Sequence, residues 1–337
     1  MVTVTSESRR PVGTETNMEN ENKGTVKAIC ISLKKGTSKT TVDRAVFMED
    51  HGIEGDAHAG KWHRQISLLA SESVDRFKND RLRAGGEIEP IEPGAFGENI
   101  LTKGIELKEL RCGSFLKVGD EVVLKISQRG KECHSGCEIR KRTGDCIMPR
   151  EGVFATVIKG GTVTAGDAIS VEPPARDRSF TAAVITLSDR AYDHVREDLS
   201  GPALARLLKE AGYEVIEELL LPDGKEELKT NLIRLADRRD ADLILTTGGT
   251  GFSERDVTPE ATLEVATRNA PGIAEAIRTA SGKITPRAML SRGASVIRGK
   301  TLIINLPGSP KAVEECFAVI RDAVPHGLAV LTGREGD

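Results

Sequence analysis

Residues 241–251 read ADLILTTGGTG and residues 255–260 read RDVTPE, and this stretch decides the fold of the C-terminal half. The apolar run Ala241–Thr246 predicts a buried strand, and Pro259–Thr267 predicts a helix with proline near its first turn. The three glycines between them let a ligand approach the main chain closely. A strand that ends in such a loop and leads into a helix offers backbone N–H groups to an anion. The stretch therefore predicts a phosphate or nucleotide site at the end of a strand.

Strands and helices alternate throughout this half of the chain. Predicted strands cover Thr181–Leu187, Val215–Leu221, Leu243–Thr246 and Thr301–Leu306, and predicted helices cover Ser200–Ala211, Lys225–Arg239 and Pro310–Asp322. Ser200 is a candidate N-cap of its helix, and Gly212 is a stop signal. The alternation predicts an α/β domain with a mostly parallel sheet flanked by helices.

Four polar loops follow these strands, at the carboxyl ends where such sheets bind ligands. They are Ser188–Arg190, Pro222–Gly224, Thr247–Asp256 and Asn305–Pro310. Chain order places all four at one edge of the sheet. Backbone amides suit phosphate oxygens, and one or two carboxylates suit Mg²⁺. The loops therefore predict Mg²⁺-assisted chemistry on a nucleoside triphosphate.

Each of these signals also has a purely structural interpretation. The TGGTG run can be a tight strand-to-helix turn, and Asp223 can be a turn residue within Pro-Asp-Gly. Asp189 can cap a turn, and Pro307 with Gly308 can simply precede the last helix. The sequence contains no G-x-x-x-x-G-K-[ST] motif, so an ordinary P-loop does not explain the site. The common position of the four loops favours the functional interpretation.

Composition indicates a soluble globular protein of two domains. The 337 residues include 38% apolar and 29% charged residues and carry a net charge of −3. This charge argues against a dedicated nucleic-acid binder, and no apolar run approaches the ~20 residues of a membrane span. Residues 1–23 have no apolar signal-peptide core and are predicted to be a disordered tail. We expect a cytoplasmic protein whose six cysteines are reduced.

A linker is predicted at residues 172–179, between domains at residues 24–171 and 180–337. Before it, β-type runs dominate, and they lie at Thr25–Leu33, Gln65–Ala70, Glu121–Ser127 and Val153–Ile158. Few helices are evident, and Ser71–Lys78 is one of them. The N-terminal half is therefore predicted to be a β-rich, barrel-like domain.

Four segments of the C-terminal half resemble the molybdopterin adenylyltransferases of molybdenum cofactor biosynthesis. They are ITLSDRAYDHVREDLSGP (185–202), LLPDGKEEL (220–228), TGGTGFSERDVTPEAT (247–262) and NLPGSPKAVEEC (305–316), and the similarity runs from about Phe180 to the C-terminus. The resemblance implies a Mg²⁺- and ATP-dependent transfer of AMP onto the terminal phosphate of molybdopterin, with release of pyrophosphate. It also implies that Asp223 and Asp256 are the metal-binding and catalytic aspartates.

The same resemblance implies a set of ligand-binding residues. These are Ser188, Asp189, Gly248, Gly249, Thr250, Gly251, Asn305, Pro307, Gly308 and Ser309, together with Ser291 of PRAMLSR (286–292) as a pterin contact. The fold also occurs in a molybdopterin-binding domain of molybdenum insertases and in a competence-related family. Those relatives keep the TGGTG loop but carry out other chemistry, so the pair Asp223 and Asp256 is the more specific signal.

The N-terminal half resembles a MOSC domain over about residues 24–171. The similar segments are GDAH (55–58), GAFGEN (94–99), LKVGD (116–120), KECHSGC (131–137) and GDCIMPREG (144–152). The resemblance implies a β-barrel and a cysteine that carries molybdenum or sulfur. Cys133 is the assigned position because it follows the strand Glu121–Ser127 and a short basic loop. Cys137 is the alternative.

The residues themselves also favour a reactive or metal-binding thiol in this region. Cys133, His134, Cys137 and Cys146 form a cluster of soft ligands in the sequence. Nearby positive charges would lower a thiol pKa and attract a phosphate-bearing pterin, and they are Arg129, Lys131, Arg140, Lys141 and Arg142. A structural zinc site is the alternative, although the spacing C-x₃-C-x₈-C is unusual for zinc. Cys30, Cys112 and Cys316 lie in apolar contexts and are predicted to be core residues.

Two functions of different classes follow for the whole chain. In the first, the C-terminal domain is an enzyme that adenylylates molybdopterin, and the MOSC domain binds molybdenum, sulfur or the finished cofactor. In the second, both domains hold the cofactor for delivery without turnover. The MOSC half alone is also compatible with a reductase of N-hydroxylated compounds. Related adenylyltransferases are commonly trimers, so we expect a homo-oligomer, with other proteins of the cofactor pathway as possible partners and no binding to nucleic acid or membranes.

Overall fold

The computed structural model describes residues 23–85, 90–132 and 145–334. The chain divides between Pro174 and Ala175 into two compact units. The predicted tail, residues 1–23, lies outside the described residues except for Lys23, which begins the first strand. None of the described helices has the length and apolar character needed to span a lipid bilayer.

The first unit is built mainly of strands. Its described strands are β1 Lys23–Ile31, β2 Thr40–Val42, β3 Arg44–Met48, β4 Gly52–Ile53, β5 Ile66–Ala70, β6 Ile100–Lys103, β7 Phe115–Val118, β8 Val122–Arg129, β9 Val153–Lys159, β10 Gly161–Thr164 and β11 Ala168–Glu172. Its described α-helices are α1 Ser71–Arg83 and α2 Met148–Glu151.

Seven of these strands close into a barrel, which confirms the predicted fold of this half. Their order is β11-β7-β8-β9-β5-β6-β1, and antiparallel pairing of β1 with β11 closes the ring. Strand β8 alternates buried and half-buried residues, so that Leu124 and Ile126 fill the interior. Strand β2 extends the sheet from β1, while β10, β3 and β4 form a separate small sheet.

Helix α1 is longer than the sequence predicted. Val74 and Phe77 are its buried apolar positions, and the prediction therefore ended at Lys78. The helix continues to Arg83, because no glycine or proline interrupts it before Gly85, which has a φ of +74°. Its last turn carries Arg81 and Arg83, which suit the negative end of the helix dipole.

The second unit alternates strands and helices. Its strands are β12 Thr181–Leu187, β13 Glu214–Leu221, β14 Leu243–Thr247, β15 Arg268–Asn269, β16 Ser295–Arg298 and β17 Thr301–Leu306. Its α-helices are α3 Asp189–Tyr192, α4 Ser200–Glu210, α5 Lys225–Ile233, α6 Thr258–Glu264, α7 Pro271–Gly282, α8 Pro310–Ile320 and α9 Val324–Thr332.

The sheet of this unit is mostly parallel and covered on both faces, as predicted. Its order is β13-β12-β14-β17-β16-β15, and the first four strands are parallel. Val184 and Leu245 point to one core together with apolar residues of α4 and α8. Ile185 and Ile244 point to a second core with residues of α5 and α6. Strands β15 and β16 pair antiparallel at the edge and were not predicted.

Several helix ends differ from the predictions, and α8 ends at Ile320 where the prediction continued to Asp322. Ser200 is the first residue of α4 and not its N-cap, since Asp198 Oδ1 accepts the N–H groups of Ser200 and Gly201 at 3.0 and 3.1 Å. Helix α5 stops at Ile233 and passes into a π-helical turn, Arg234–Arg238, which the 3.6-residue pattern does not show. Helix α6 is shorter than expected and ends at Glu264.

Candidate functional site

The four predicted loops lie at one edge of the second sheet, as the chain order indicated. Because β12, β13, β14 and β17 are parallel, their carboxyl ends share that edge. Main-chain bonds connect the loops, since the N–H of Ser188 donates to Leu221 O at 3.0 Å and that of Gly248 to Leu306 O at 3.2 Å. Thr247 Oγ1 donates to Pro307 O at 2.8 Å. The loops therefore form one continuous surface.

The TGGTG loop presents unpaired N–H groups at this edge. Among the described residues, the N–H groups of Gly249, Thr250 and Gly251 donate to no protein acceptor. They follow strand β14 and precede helix α6, which is the arrangement that binds phosphate oxygens. The loop thus has the donors that the sequence interpretation required.

The glycines of this loop are needed by the protein itself. Gly248 and Gly249 have φ values of +100° and +63°, in the region that favours glycine. A Cβ on Gly248 would collide with Leu187 O, and one on Gly249 would collide with Thr258 Oγ1. Close packing of the loop on its neighbours therefore explains both positions, which agrees with the structural interpretation of the TGGTG run as a tight strand-to-helix turn.

Three aspartates and one arginine surround the loop. The N–H of Asp223 donates to Asp189 Oδ1 at 2.8 Å, and the N–H of Asp189 donates to Asp223 Oδ2 at 3.3 Å. Asp256 Oδ2 accepts the N–H of Ser253 at 2.9 Å. Arg255 Nη1 lies 3.8 Å from Asp189 Oδ2, and its side chain is mostly exposed. The two loops that carry Asp189 and Asp223 are thus joined directly.

The electrostatics of this group suit a cation. Burial raises the pKa of Asp223, and the negative charges of Asp189 and Asp256 raise it further, while the hydrogen bond from the Asp189 N–H and the charge of Arg255 act in the opposite direction. No group of three His, Cys, Asp or Glu side chains converges as a preformed metal site within the residues described. Mg²⁺ does not require a preformed site of three side chains, because it keeps several waters and binds through one or two carboxylates and substrate phosphates. Asp223 and Asp256 therefore fit Mg²⁺.

Asn305 occupies a different position from the predicted ligand contact. Its side-chain nitrogen donates to Thr246 Oγ1 at 3.0 Å and to Thr262 Oγ1 at 2.8 Å, and its oxygen accepts the N–H of Ala294 at 3.1 Å. The side chain is buried. Asn305 therefore fastens β17 to β14 and α6, and its contribution to the site is to fix the loop that follows.

Two hollows flank the glycine loops. A pocket of about 270 Å³ contains Ser291 together with Thr250, Gly251 and Pro307. A second hollow of about 330 Å³ contains Ser188, Gly308 and Ser309. The hydroxyls of Ser188 and Ser309 also cap α3 and α8 by accepting N–H groups at 3.2 and 3.3 Å. Seven of the predicted binding residues thus line one of these two cavities, whereas Asp189, Gly248, Gly249 and Asn305 line neither. Asp256 lines a third hollow, of about 520 Å³, together with Glu260 and Arg292.

The first unit has its own buried polar cluster, at a position that the sequence analysis did not recognise. Lys39 Nζ donates to Asp56 Oδ2 at 2.5 Å and lies 3.2 Å from His58 Nδ1. Burial would raise the pKa of Asp56, but hydrogen bonds from His58 and Lys39 hold it well below its usual range. Lys39 carries no sequence signal, since GTSKTT resembles an ordinary turn. The cluster fixes the GDAH segment.

The predicted functional cysteines, Cys133 and Cys137, lie outside the described residues. Cys146 is buried in an apolar core beside Phe96 and Met148. Cys30 and Cys316 are buried and Cys112 packs against the barrel core, as predicted. Burial, reinforced by Glu98, raises the pKa of Cys30 to about 12, which makes this thiol a poor nucleophile.

Comparison with known proteins identifies both halves. A family described as "Probable molybdopterin binding domain" matches residues 183–326, and the MOSC domain family matches residues 55–170. The molybdopterin adenylyltransferase of Helicobacter pylori is 41% identical over 152 residues, which cover 44% of this chain and 86% of that protein.

Two further relatives match the same half of the chain. The molybdenum cofactor synthesis protein cinnamon of Drosophila melanogaster is 44% identical over 155 residues, 45% of this chain and only 26% of that protein. A crystal structure of the molybdopterin biosynthesis enzyme MoaB from Thermus thermophilus has a TM-score of 0.44 at 43% identity, covering 46% of this chain and 97% of that one. Through its C-terminal half the chain belongs to the molybdopterin adenylyltransferase family, and its N-terminal half is a MOSC domain.

Proposed function

We propose that the C-terminal domain transfers AMP from ATP to the terminal phosphate of molybdopterin, in the biosynthesis of the molybdenum cofactor. The observation that carries this proposal is that Asp223, Asp256 and the unpaired N–H groups of residues 249–251 belong to loops that follow neighbouring parallel strands of one sheet. Family membership at 41% identity gives independent support. Acidic groups for a metal and amides for phosphates are both required by this chemistry.

The reaction is a displacement at the α-phosphorus of ATP. A phosphate oxygen of molybdopterin forms a new bond to that phosphorus, and the bond to the bridging oxygen breaks, so that pyrophosphate leaves with the electron pair. The N–H groups of Gly249, Thr250 and Gly251 bind phosphate oxygens and stabilise the charge that develops on them. Mg²⁺, held by Asp223 and Asp256, would neutralise charge on the phosphates.

The substrates are assigned to the two hollows by their lining. The pocket of about 270 Å³ at Ser291 takes the pterin, because hydroxyl and apolar groups line it together. The hollow at Ser188, Gly308 and Ser309 takes part of the nucleotide. Asp189 orients Asp223 through the paired hydrogen bonds between them. The first hollow borders the TGGTG loop, and the second borders Gly308, on which a Cβ would lie 3.1 Å from Gly248 Cα, so the two substrates would approach each other at the glycine loops.

A binding protein without turnover is the second candidate function. The fold and the TGGTG loop support binding equally well, but the clustered carboxylates favour catalysis, because they would repel a phosphate ligand unless a cation were present. Purified protein with ATP, Mg²⁺ and molybdopterin should release pyrophosphate, and it should release none when molybdopterin is omitted. A protein that binds molybdopterin but releases no pyrophosphate in either mixture is a carrier.

For the MOSC domain we propose that Cys133 binds molybdenum, sulfur or the finished cofactor, with Cys137 as the alternative position. The support is the basic sequence around the two thiols, which favours a thiolate and attracts phosphate. In this proposal molybdenum is a substrate that the domain binds and passes on, and it is not a resident cofactor of the protein. A reductase acting on N-hydroxylated compounds is the competing function, and turnover of such a compound by the separate domain would establish it.

We propose a cytoplasmic homo-oligomer, with a trimer favoured, that binds molybdopterin and ATP and exchanges cofactor with other proteins of the pathway. The proposal includes no nucleic-acid partner, because the net charge of −3 argues against a dedicated nucleic-acid binder. Light scattering of the purified protein measures the assembly directly.

A further inference from the structure

A single arginine holds both ends of the loop that carries Asp256. Nε of Arg292 donates to Gly251 O at 2.6 Å, and Nη2 donates to Asp256 O. The main-chain N–H of Arg292 donates to Thr250 O at 3.0 Å. The beginning and the end of the segment 250–256 are therefore tied to one residue.

Glu260 completes this arrangement. Its Oε1 accepts a hydrogen bond from Arg292 Nη1, and it lies in the first turn of α6, four residues after Asp256. A guanidinium group donates in fixed directions in one plane, so it can hold three acceptors at once. The ammonium group of lysine is a point charge without this fork. The geometry therefore depends on arginine specifically and not only on a positive charge.

The position of the Asp256 carboxylate depends on the conformation of this loop. Asp256 Oδ2 accepts the N–H of Ser253, and the N–H of Asp256 donates back to Ser253 O, both at 2.9 Å. These bonds lie within the loop, so they orient the carboxylate relative to the loop and not relative to the sheet. The bonds from Arg292 connect the loop to the segment beside β16.

We propose that Arg292 is a positioning residue, which fixes Asp256 for metal binding and is itself oriented by Glu260. The inference rests on the proposed adenylyl transfer. Arg292 acts through the main-chain oxygens of Gly251 and Asp256, to which it donates. Preorganised carboxylates are effective because a displacement of about 1 Å costs as much as ~10²-fold in rate.

The first test compares kinetics of Arg292→Lys with the wild type. We expect kcat to fall by ~10-fold or more, and the Mg²⁺ concentration for half-maximal rate to rise, while the KM for molybdopterin stays within about twofold. Glu260→Gln should have a smaller effect in the same direction, since the bonds to Gly251 and Asp256 remain. Unchanged Mg²⁺ dependence in Arg292→Lys overturns the proposal.

Arg298→Lys is the matched control. Arg298 makes three similar hydrogen bonds, two to the carboxylate of Asp237 and one to Val265 O at 2.9 Å. It pairs with Thr301 at the start of β17, and therefore lies at the end of the sheet away from the polar loops. The Arg298→Lys variant should have the same kcat and the same Mg²⁺ dependence as the wild type. An equal loss in Arg298→Lys and Arg292→Lys would mean a general effect on the fold and would overturn the positioning role.

The second test needs no catalysis. Hydrogen exchange of the peptide covering residues 251–256, in protein without ligands, should be about 10-fold faster in Arg292→Lys, while the peptide of β14 is unchanged. Equal exchange in the two proteins overturns the proposal. If the wild type transfers no AMP at all, the proposed function fails, and the exchange rates alone then decide whether Arg292 positions the loop.

Discussion

Asp189 and Asp223 each donate a main-chain N–H to the carboxylate of the other, at 3.3 and 2.8 Å. The exchange locks together the loops that follow β12 and β13, and it holds two negative charges close to each other. Such an arrangement is electrostatically unfavourable in the metal-free protein and becomes favourable when a cation binds. The stability of the domain should therefore depend on Asp223 in a way that pH and Mg²⁺ reveal.

Asp223→Asn should raise the melting temperature of the metal-free C-terminal domain at pH 7. The folded-state pKa of Asp223 is raised, by burial and then by Asp189 and Asp256, so its stabilising contribution is full at low pH and is lost as pH rises through that pKa. The gain should be on the order of 1–2 °C, because the site is partly exposed. Calorimetry in EDTA measures it.

Two controls belong to this prediction. The difference between the proteins should vanish below the ordinary carboxyl pKa of 3.8, where the aspartate is protonated in both folded and unfolded chains. Addition of Mg²⁺ should stabilise the wild type more than Asp223→Asn. A variant that is less stable than the wild type at pH 7 would show that the carboxylate is not under repulsion.

Gly249→Ala should destabilise the domain and also remove nucleotide binding. The new Cβ meets Thr258 Oγ1, and alanine at a φ of +63° costs about 1–2 kcal/mol even without the collision. Gly272→Ala is the matched control, since a Cβ there meets no atom within 4 Å and the residue lies in helix α7. Thermal melts and calorimetric titration with ATP compare the two. Unaltered ATP affinity in Gly249→Ala would exclude the loop from the site.

Lys39→Met should destabilise the barrel by about 3–5 kcal/mol, because it leaves the buried carboxylate of Asp56 without its charged partner. Urea unfolding can be followed by fluorescence of Trp62, the single tryptophan of the chain, which lies in the barrel domain. Lys61→Met removes an ion pair whose side chains are 85% and 66% exposed, and it should cost less than ~1 kcal/mol. Equal midpoints for the two variants would contradict a structural role for the Lys39–Asp56 pair.

Cys133→Ser should abolish molybdenum retention by the full chain and leave adenylylation intact, because the two chemistries use different domains. Metal analysis after reconstitution with molybdate and pterin measures the first effect, and pyrophosphate release measures the second. Equal molybdenum content in Cys133→Ser and the wild type would rule out Cys133. Loss of metal in Cys137→Ser alone would move the assignment to Cys137.

Local sequence patterns were sufficient for the elements that define the fold. Runs such as Leu243–Thr247 and Thr301–Leu306 are rich in Leu and Ile and buried throughout, because helices cover both faces of the sheet. Chain order then placed the polar loops at one edge, since parallel strands have their carboxyl ends together. The sequence therefore predicted that the loops of Asp189 and Asp223 share this edge, but it did not predict the hydrogen bonds between the two residues.

Contacts between distant residues could not be read from the same patterns. Arg292 binds main-chain oxygens, and any residue offers a main-chain oxygen, so its partners leave no signature in the sequence. Asn305 resembles a loop residue that faces a ligand, yet its hydrogen bonds reach Thr262, 43 positions away along the chain. The start of α4 is similar, because Leu199 takes the N-cap position and the Asp198 carboxylate one residue earlier accepts the first N–H groups, where the sequence had favoured Ser200 as the cap.

The central claim is that the sheet edge with Asp223 and Asp256 transfers AMP to molybdopterin. Mass spectrometry of a mixture of protein, molybdopterin, ATP and Mg²⁺ should detect adenylylated molybdopterin with the wild type. Asp256→Asn keeps the shape and removes the charge, so it should form this product at least ~10²-fold more slowly while still binding molybdopterin. Near-normal product formation by Asp256→Asn, or no product with the wild type, would contradict the account.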